Sequence, residues 1–336
     1  MITYFIRNQK AGYSLHKQSI QLINEVSQGS DVEIFELPEY RAYPWHMLKN
    51  IFFVYKHRNR KGINHLTGDV HYCILALIGC ISVLTVHDLS ILDLPTKKIK
   101  RLINYFFWVF LPFRICTRIV CISNYTKRQV QKFTSRKDIE VIYDSLSPTW
   151  YYSPRRFCEK SPVILCVGTA KHKNLERVIE AVVGLNCRLR IVGNMDSNLT
   201  KLLKINHLSY SNVKNLSDDE IYDEYRECDI VCFPSCYEGF GMPIIEGNAI
   251  GRCVLTSDMD PMKEVAGNAA CLVNPYSKES IRIGISKIMH DADYRQFLVK
   301  QGLLNITKYS SFNIANQYVE LYKKLNNDCN RGISHK

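Results

Sequence analysis

The chain has 336 residues, 46% of them hydrophobic and 23% charged, with a formal net charge of +12. That length suits about two domains, and the composition excludes a disordered chain. The longest apolar stretches, 72–86 and 103–111, fall short of the ~20 residues of a membrane-spanning helix, and the apolar start 1–6 is too short for a leader. A cytoplasmic protein is expected, soluble or peripheral on the inner face of the plasma membrane.

Strand and helix patterns alternate, which argues for parallel sheets. Residues 1–7 are apolar and β-rich. Gly12-Tyr13 mark a turn, and Ser14 is placed to cap a helix with Leu15, Leu22, Ile23 and Val26 on one face. A strand reads over 32–37, and Trp45, Leu48, Phe52 and Tyr55 recur at helical spacing. The segment His65–Tyr72 precedes a strand over 81–86 that ends at His87-Asp88. Another strand, 119–122, runs into Ser123, a cap for a helix from about Thr126, and 139–143 closes this half.

Three prolines between Ser147 and Pro162, with no periodicity, place the domain boundary there. A second alternating set opens with a strand over 163–168 and a loop at Lys171-His-Lys173. The helix after Asn174 is expected to bury Leu175, Val178, Ile179, Val182 and Val183. Strands read at 189–192, 254–256 and 271–273, and Ser217-Asp-Asp-Glu220 is a capping box. The last helix starts near Ser311 with Ile314, Tyr318, Leu321 and Leu325 inward. The expectation is an α/β chain of two Rossmann-like domains facing across a cleft, because ligands bind outside the carboxyl ends of parallel strands. Residues 1–150 are expected to form one domain and 151–310 the other. Residues 311–328 return as a helix to the first.

The thirteen cysteines are odd in number and scattered, as in a reducing compartment rather than a disulfide framework. Cys228, Cys232 and Cys236 recur every four residues. On a strand that spacing sets side chains roughly 13 Å apart, so small buried hydrophobes are expected and no metal. Charge is uneven: residues 1–150 carry 20 Lys+Arg against 11 Asp+Glu, and the remainder 24 against 21. The runs His57–Lys61 and Lys97–Arg101 contribute, and the second leads into the aromatic stretch 102–111. That mixture fits either a core helix with a solvated basic start or contact with an anionic membrane. No nucleic-acid-binding module appears.

The chemistry is concentrated in Cys232–Glu246. A buried strand end is followed by a Gly-containing loop and a helix that Pro243 is placed to start. Gly239 and Gly241 allow close approach of a ligand, and a helix start favours negative charge. Glu238 and Glu246 bracket the loop and can accept hydrogen bonds from sugar or ribose hydroxyls. The same pattern also fits a plain strand-loop-helix corner with two surface glutamates.

With Val167-Gly-Thr…Lys173-Asn-Leu, Asp229–Ser235…Glu238-Gly-Phe-Gly-Met-Pro…Glu246, Val254–Ser257 and Glu264–Pro275, residues 163–325 resemble the family 4 retaining glycosyltransferases of the GT-B fold, the "glycosyltransferases group 1" domain. The first half is looser, but His65–Tyr72 and Val86-His-Asp88 look like members that build bacterial surface polysaccharides. The resemblance implies a nucleotide-sugar donor (UDP- or GDP-linked) bound by residues 151–310, a lipid-linked glycan acceptor bound by 1–150, and no resident cofactor or metal. It implies that Lys173 neutralises the donor diphosphate, Glu238 holds donor-sugar hydroxyls and Glu246 the ribose. Gly239, Phe240, Gly241 and Met242 would wrap sugar and phosphate. His87 would lie beside the donor sugar on the opposite wall, and Gly12, Tyr13 and Ser123 at acceptor or phosphate contacts, with Asp88 on the acceptor side. Asp69 and Asp88 equally read as turn or cap residues.

Two departures stand out. Thr169 occupies a donor-side position where many relatives carry Arg, and Lys171 is the candidate substitute. The loop Asn8–Ser14 has one glycine where many relatives have a pair. A silent sugar-nucleotide-binding or scaffold protein and a nucleotide-sugar epimerase are the rival readings. A dehydrogenase fails for want of G-x-G-x-x-G opening either half.

Overall fold

The computed structural model describes residues 1–92 and 98–333, apart from the side chains of 13, 14 and 329–333. Lys97 and the side chains of Tyr13 and Ser14 therefore lie outside the described residues. The chain divides into two compact units: Met1–Ser145 together with the chain from Ser311 onward, and Leu146–Ser310.

The first unit holds a six-stranded parallel sheet of β1 (Ile2–Ile6), β2 (Val32–Glu36), β3 (Ile63–Leu66), β4 (Ile81–Val86), β5 (Arg118–Cys121) and β6 (Ile139–Val141), in the order β2-β1-β3-β4-β5-β6. Helices Tyr13–Ser27 and Ser311–Ile333 cover one face. Ile314, Tyr318, Leu321 and Leu325 pack there on Ile2, Tyr4, Ile63 and Val83, as their spacing predicts. On the other face Met47 and Val54 of helix Pro44–His57 pack with Leu77, Trp108 and Phe113. The stripe Trp45, Leu48, Phe52 and Tyr55 that announced this helix points away from the core, every member at least half exposed.

The second unit's sheet contains β7 (Val163–Val167), β8 (Arg188–Val192), β9 (Tyr210–Val213), β10 (Ile230–Phe233), β11 (Cys253–Ser257) and β12 (Cys271–Val273), ordered β12-β11-β10-β7-β8-β9 and parallel throughout. Strand order reverses between β7 and β10. That switch point leaves a crevice at the carboxyl edge, where loops from adjacent strands diverge.

Local departures have local causes. Gly12, not Ser14, is the N-cap residue of the first helix. Helix Met242–Ile250 starts one residue before Pro243, which sits in its first turn. Val183 follows the end of helix Leu175–Val182 and is 37% exposed.

Candidate active site

Lys173 and Glu238 come from the two loops that flank the second sheet's switch point. β7 is followed by Gly168, whose φ of +90° belongs to the left-handed region; a Cβ there would lie 3.1 Å from Cε of Lys173. Glycine thus lets the lysine stem lie along the backbone. The turn Lys171–Lys173 follows, closed by Asn174 in the left-handed conformation at φ 64°, which asparagine tolerates better than most residues. The second loop leaves β10 at Phe233 and enters helix Met242–Ile250 through Gly241. At φ +116° a Cβ would meet Ile244 Cδ1 at 3.0 Å.

Side chains staple the two loops together. Buried Asn174 donates from Nδ2 to the carbonyls of Pro234 (3.0 Å) and Pro275 (2.6 Å). The amide of Cys236 donates to the His172 carbonyl at 2.8 Å. Thr256 Oγ1 and Ser257 Oγ, from neighbouring β11, donate to the carbonyls of Phe233 and Ser235. On this frame Lys173 Nζ lies 2.7 Å from Glu238 Oε1 and 4.7 Å from the centre of the Phe233 ring. His172 Nε2 is 4.0 Å from the same carboxylate oxygen. Burial holds the His172 ring below its ordinary pKa, Glu238 pulling it up and Lys173 pushing it down.

The remaining donor-side positions surround this pair. Glu246 lies in the helix that starts beside Gly241, and its Oε2 accepts from Tyr225 Oη at 2.5 Å. Tyr225 is fully buried; burial and that carboxylate push its phenol far up, so it stays a donor. Gly239 and Met242 are partly exposed. The ring of Phe240 turns inward, edge-on to Tyr309 at 5.7 Å, leaving only its backbone for a ligand. Thr169 Oγ1 donates to the Asn194 carbonyl at 2.6 Å, and Lys171 is exposed at the head of the same turn. Asn174 and Tyr225 were not singled out as site residues from sequence. An asparagine after a strand-loop pattern was the available signal for the first; nothing local marks the second.

In the first unit the other candidates collect at the carboxyl ends of their strands. His87 follows β4, is buried, and its Nδ1 lies 3.8 Å from Asp144 Oδ1 just after β6, an ion-pair distance without a hydrogen bond. Burial opposes its charge, but Asp144, with Asp88 and Asp69, outweighs it and raises the ring above its ordinary pKa. Both residues line a small cavity of about 20 Å³ with Ser19, Thr67 and Thr85. Asp88 Oδ1 accepts from the amide and hydroxyl of Ser90, a local turn. Burial lifts the Asp69 carboxyl to about 6, with Arg7 opposing. Ser123 is fully buried and caps helix Asn124–Gln131 through the Thr126 amide, while Thr126 Oγ1 reaches the His87 carbonyl at 3.4 Å. Gly12 stands beside the guanidinium of Arg7, which donates to the Ala11 carbonyl at 2.7 Å.

The two parallel sheets make an α/β fold, and the second carries a cation and a carboxylate paired at its switch point, an arrangement suited to an anionic ligand that bears hydroxyls. Residues 153–303 match the family "Glycosyl transferases group 1". The chain is 24% identical over 273 residues to the Escherichia coli O-antigen chain mannosyltransferase B, covering 73% of this chain and 70% of that one. Among solved structures, a sucrose-phosphate synthase from Thermosynechococcus elongatus superposes with a TM-score of 0.80 at 15% identity, over 97% of this chain and 99% of that one. Anabaena Alr3699/HepE, solved in complex with UDP-glucose, gives 0.77 at 14% identity, over 96% and 100%. The expected α/β fold with two parallel sheets holds, as does the resemblance to group 1 glycosyltransferases.

Proposed function

We propose that this protein is a retaining hexosyltransferase that moves a hexose from a UDP- or GDP-linked donor to a lipid-linked glycan acceptor in bacterial surface-polysaccharide synthesis. The observation that supports it most is the Lys173–Glu238 pair, 2.7 Å apart where loops from β7 and β10 diverge. The similarity to an O-antigen mannosyltransferase, and to a fold solved with UDP-glucose, points the same way.

In this reading the donor diphosphate takes the Lys173 ammonium and the first amides of helix Met242–Ile250. Glu238 accepts from sugar hydroxyls and Glu246 from the ribose. As the anomeric C–O bond breaks, positive charge grows on the ring and negative charge on the leaving phosphate, where Lys173 and the fixed dipoles stabilise it. The acceptor hydroxyl attacks on the face the phosphate leaves. Its proton passes to the departing phosphate oxygen, so configuration is kept and neither a protein base nor a metal is required.

The test starts with a panel of nucleotide-sugars in thermal-shift measurements, since a ligand that binds only the native state raises its stability. Transfer is then assayed with the stabilising donor. Glu238→Gln should keep its melting temperature and lose well over tenfold in turnover, on the order of a lost transition-state contact. Near-normal turnover in that variant refutes the assignment.

A further inference from the structure

Among the described residues no helix is long and apolar enough to cross a membrane. Two helices of the first unit nevertheless turn apolar stripes outward. In helix Pro44–His57 the inward residues are Met47, Asn50 and Val54. On its outer face Trp45 is 68% exposed and Phe52 58%, with Leu48 and Tyr55 between and after them. In helix Lys98–Tyr105 only Asn104 is buried. Its Ile99, Leu102 and Ile103, continued by Phe106, occupy one face at helical spacing and are all exposed. The stretches around both helices pack on the same face of the first sheet through one core cluster, so both stripes belong to one outer layer.

Cations thread this layer. Lys56 Nζ stands 4.8 Å from the Phe52 ring centre, and the Arg58 guanidinium 3.6 Å from that of Tyr55. Lys98, Lys100 and Arg101 lie on the second helix, and neither helix contains an Asp or Glu. A folded core explains none of this. Large apolar groups left in water are unfavourable, and a monomer's exposed apolar residues are ordinarily scattered singly. A Trp, Tyr, Phe and Leu face edged by Lys and Arg is what the boundary between headgroups and acyl chains accommodates. The apolar groups insert and the cations meet anionic headgroups.

We propose that this layer is a membrane-docking surface, laying helices Pro44–His57 and Lys98–Tyr105 flat on an anionic lipid bilayer. The inference bears on the lipid-linked acceptor proposed above but does not rest on it, because its test needs neither donor nor acceptor. The chain is floated with vesicles of phosphatidylglycerol and phosphatidylethanolamine, and with phosphatidylcholine alone. The anionic vesicles should carry the protein, and the fluorescence of Trp45 should shift to shorter wavelength, a shift lost in Trp45→Phe. Leu48→Glu with Phe52→Glu changes only exposed positions. It should reduce partitioning by about tenfold or more while leaving transfer to a soluble acceptor unchanged. A control pair at exposed positions of the second unit, Ile283→Glu with Leu304→Glu, should bind as the parent does. The proposal is overturned if anionic vesicles do not bind the chain, or if the 48/52 variant binds as well as the parent. It also fails if those substitutions abolish self-association of a protein that ignores vesicles, which makes the face a contact between copies.

Discussion

Lys173 Nζ and Glu238 Oε1 stand 2.7 Å apart, although 65 residues of chain separate them. Their loops are tied to each other by the Cys236 amide on the His172 carbonyl and by the Asn174 side chain on the Pro234 carbonyl, so the pair exists before any ligand arrives. Lys173→Ala removes the cation proposed to meet the leaving phosphate. Turnover should fall by about 10²-fold or more, the scale of a lost transition-state contact. Far-ultraviolet dichroism and melting temperature should stay close to the parent, because the ammonium is partly exposed. An unchanged kcat would sink its assigned role.

Asn174 ties three segments with one side chain. Asn174→Ala leaves the Pro234 and Pro275 carbonyls without this donor and places a Cβ-bearing residue without a polar side chain at positive φ. Each unmade buried bond costs about 1–3 kcal/mol. A destabilisation of about 2–4 kcal/mol is therefore expected in the denaturant midpoint. Activity should fall further than stability alone explains, because both active-site loops lose their staple.

His65 predicts an acid-sensitive first unit. It is fully buried, accepting or donating at 2.6 Å with Tyr322 Oη and 2.8 Å with Thr85 Oγ1, and burial lowers its pKa to about 3. The folded value lies below the unfolded one of ~6.5, so the unfolded chain takes up the proton first. Stability is full above ~6.5 and falls as pH drops towards 3, by up to about 1.4 kcal/mol per pH unit for this proton. Thermal melts between pH 7.5 and 5 should show the loss, and His65→Gln should flatten it.

His87 has the opposite sign. Burial opposes its charge, but Asp144, with Asp88 and Asp69, raises the ring above its ordinary pKa, so its contribution is complete below ~6.5 and lost as pH rises through the folded value. In Asp144→Asn the largest opposing charge is gone and burial should dominate. The ¹⁵N-detected titration of His87 should move to lower pH. A titration unmoved by the substitution contradicts the pairing.

The sequence made some elements plain and hid others for identifiable reasons. The alternation of β7, its loop and helix Leu175–Val182 was legible because apolar positions recur at helical spacing. The capping box at Ser217 and Glu220 stands as read, both reciprocal bonds formed. β3 was not legible as a strand, since Asn64 and His65 interrupt it. Both are buried because Asn59, Ile81, Tyr322 and Thr85 satisfy them, partners that only the fold brings near. The stripe beginning at Trp45 gave the right helix, yet it marks the exposed face: periodicity locates an apolar surface but does not say whether protein covers it. Asn174 was similarly hidden, because its partners lie 60 and 101 residues away.

The helix that begins at Ser311 fills the first unit's core, against strands that leave the ribosome first. The second unit is continuous in the chain and needs nothing made after it. The usual order, in which what is translated first matures first, is therefore reversed. At ~5–20 residues per second the opening sheet waits roughly ten to forty seconds with its inner surface uncovered. During that interval it is an obvious client for a chaperone that shields nascent chains.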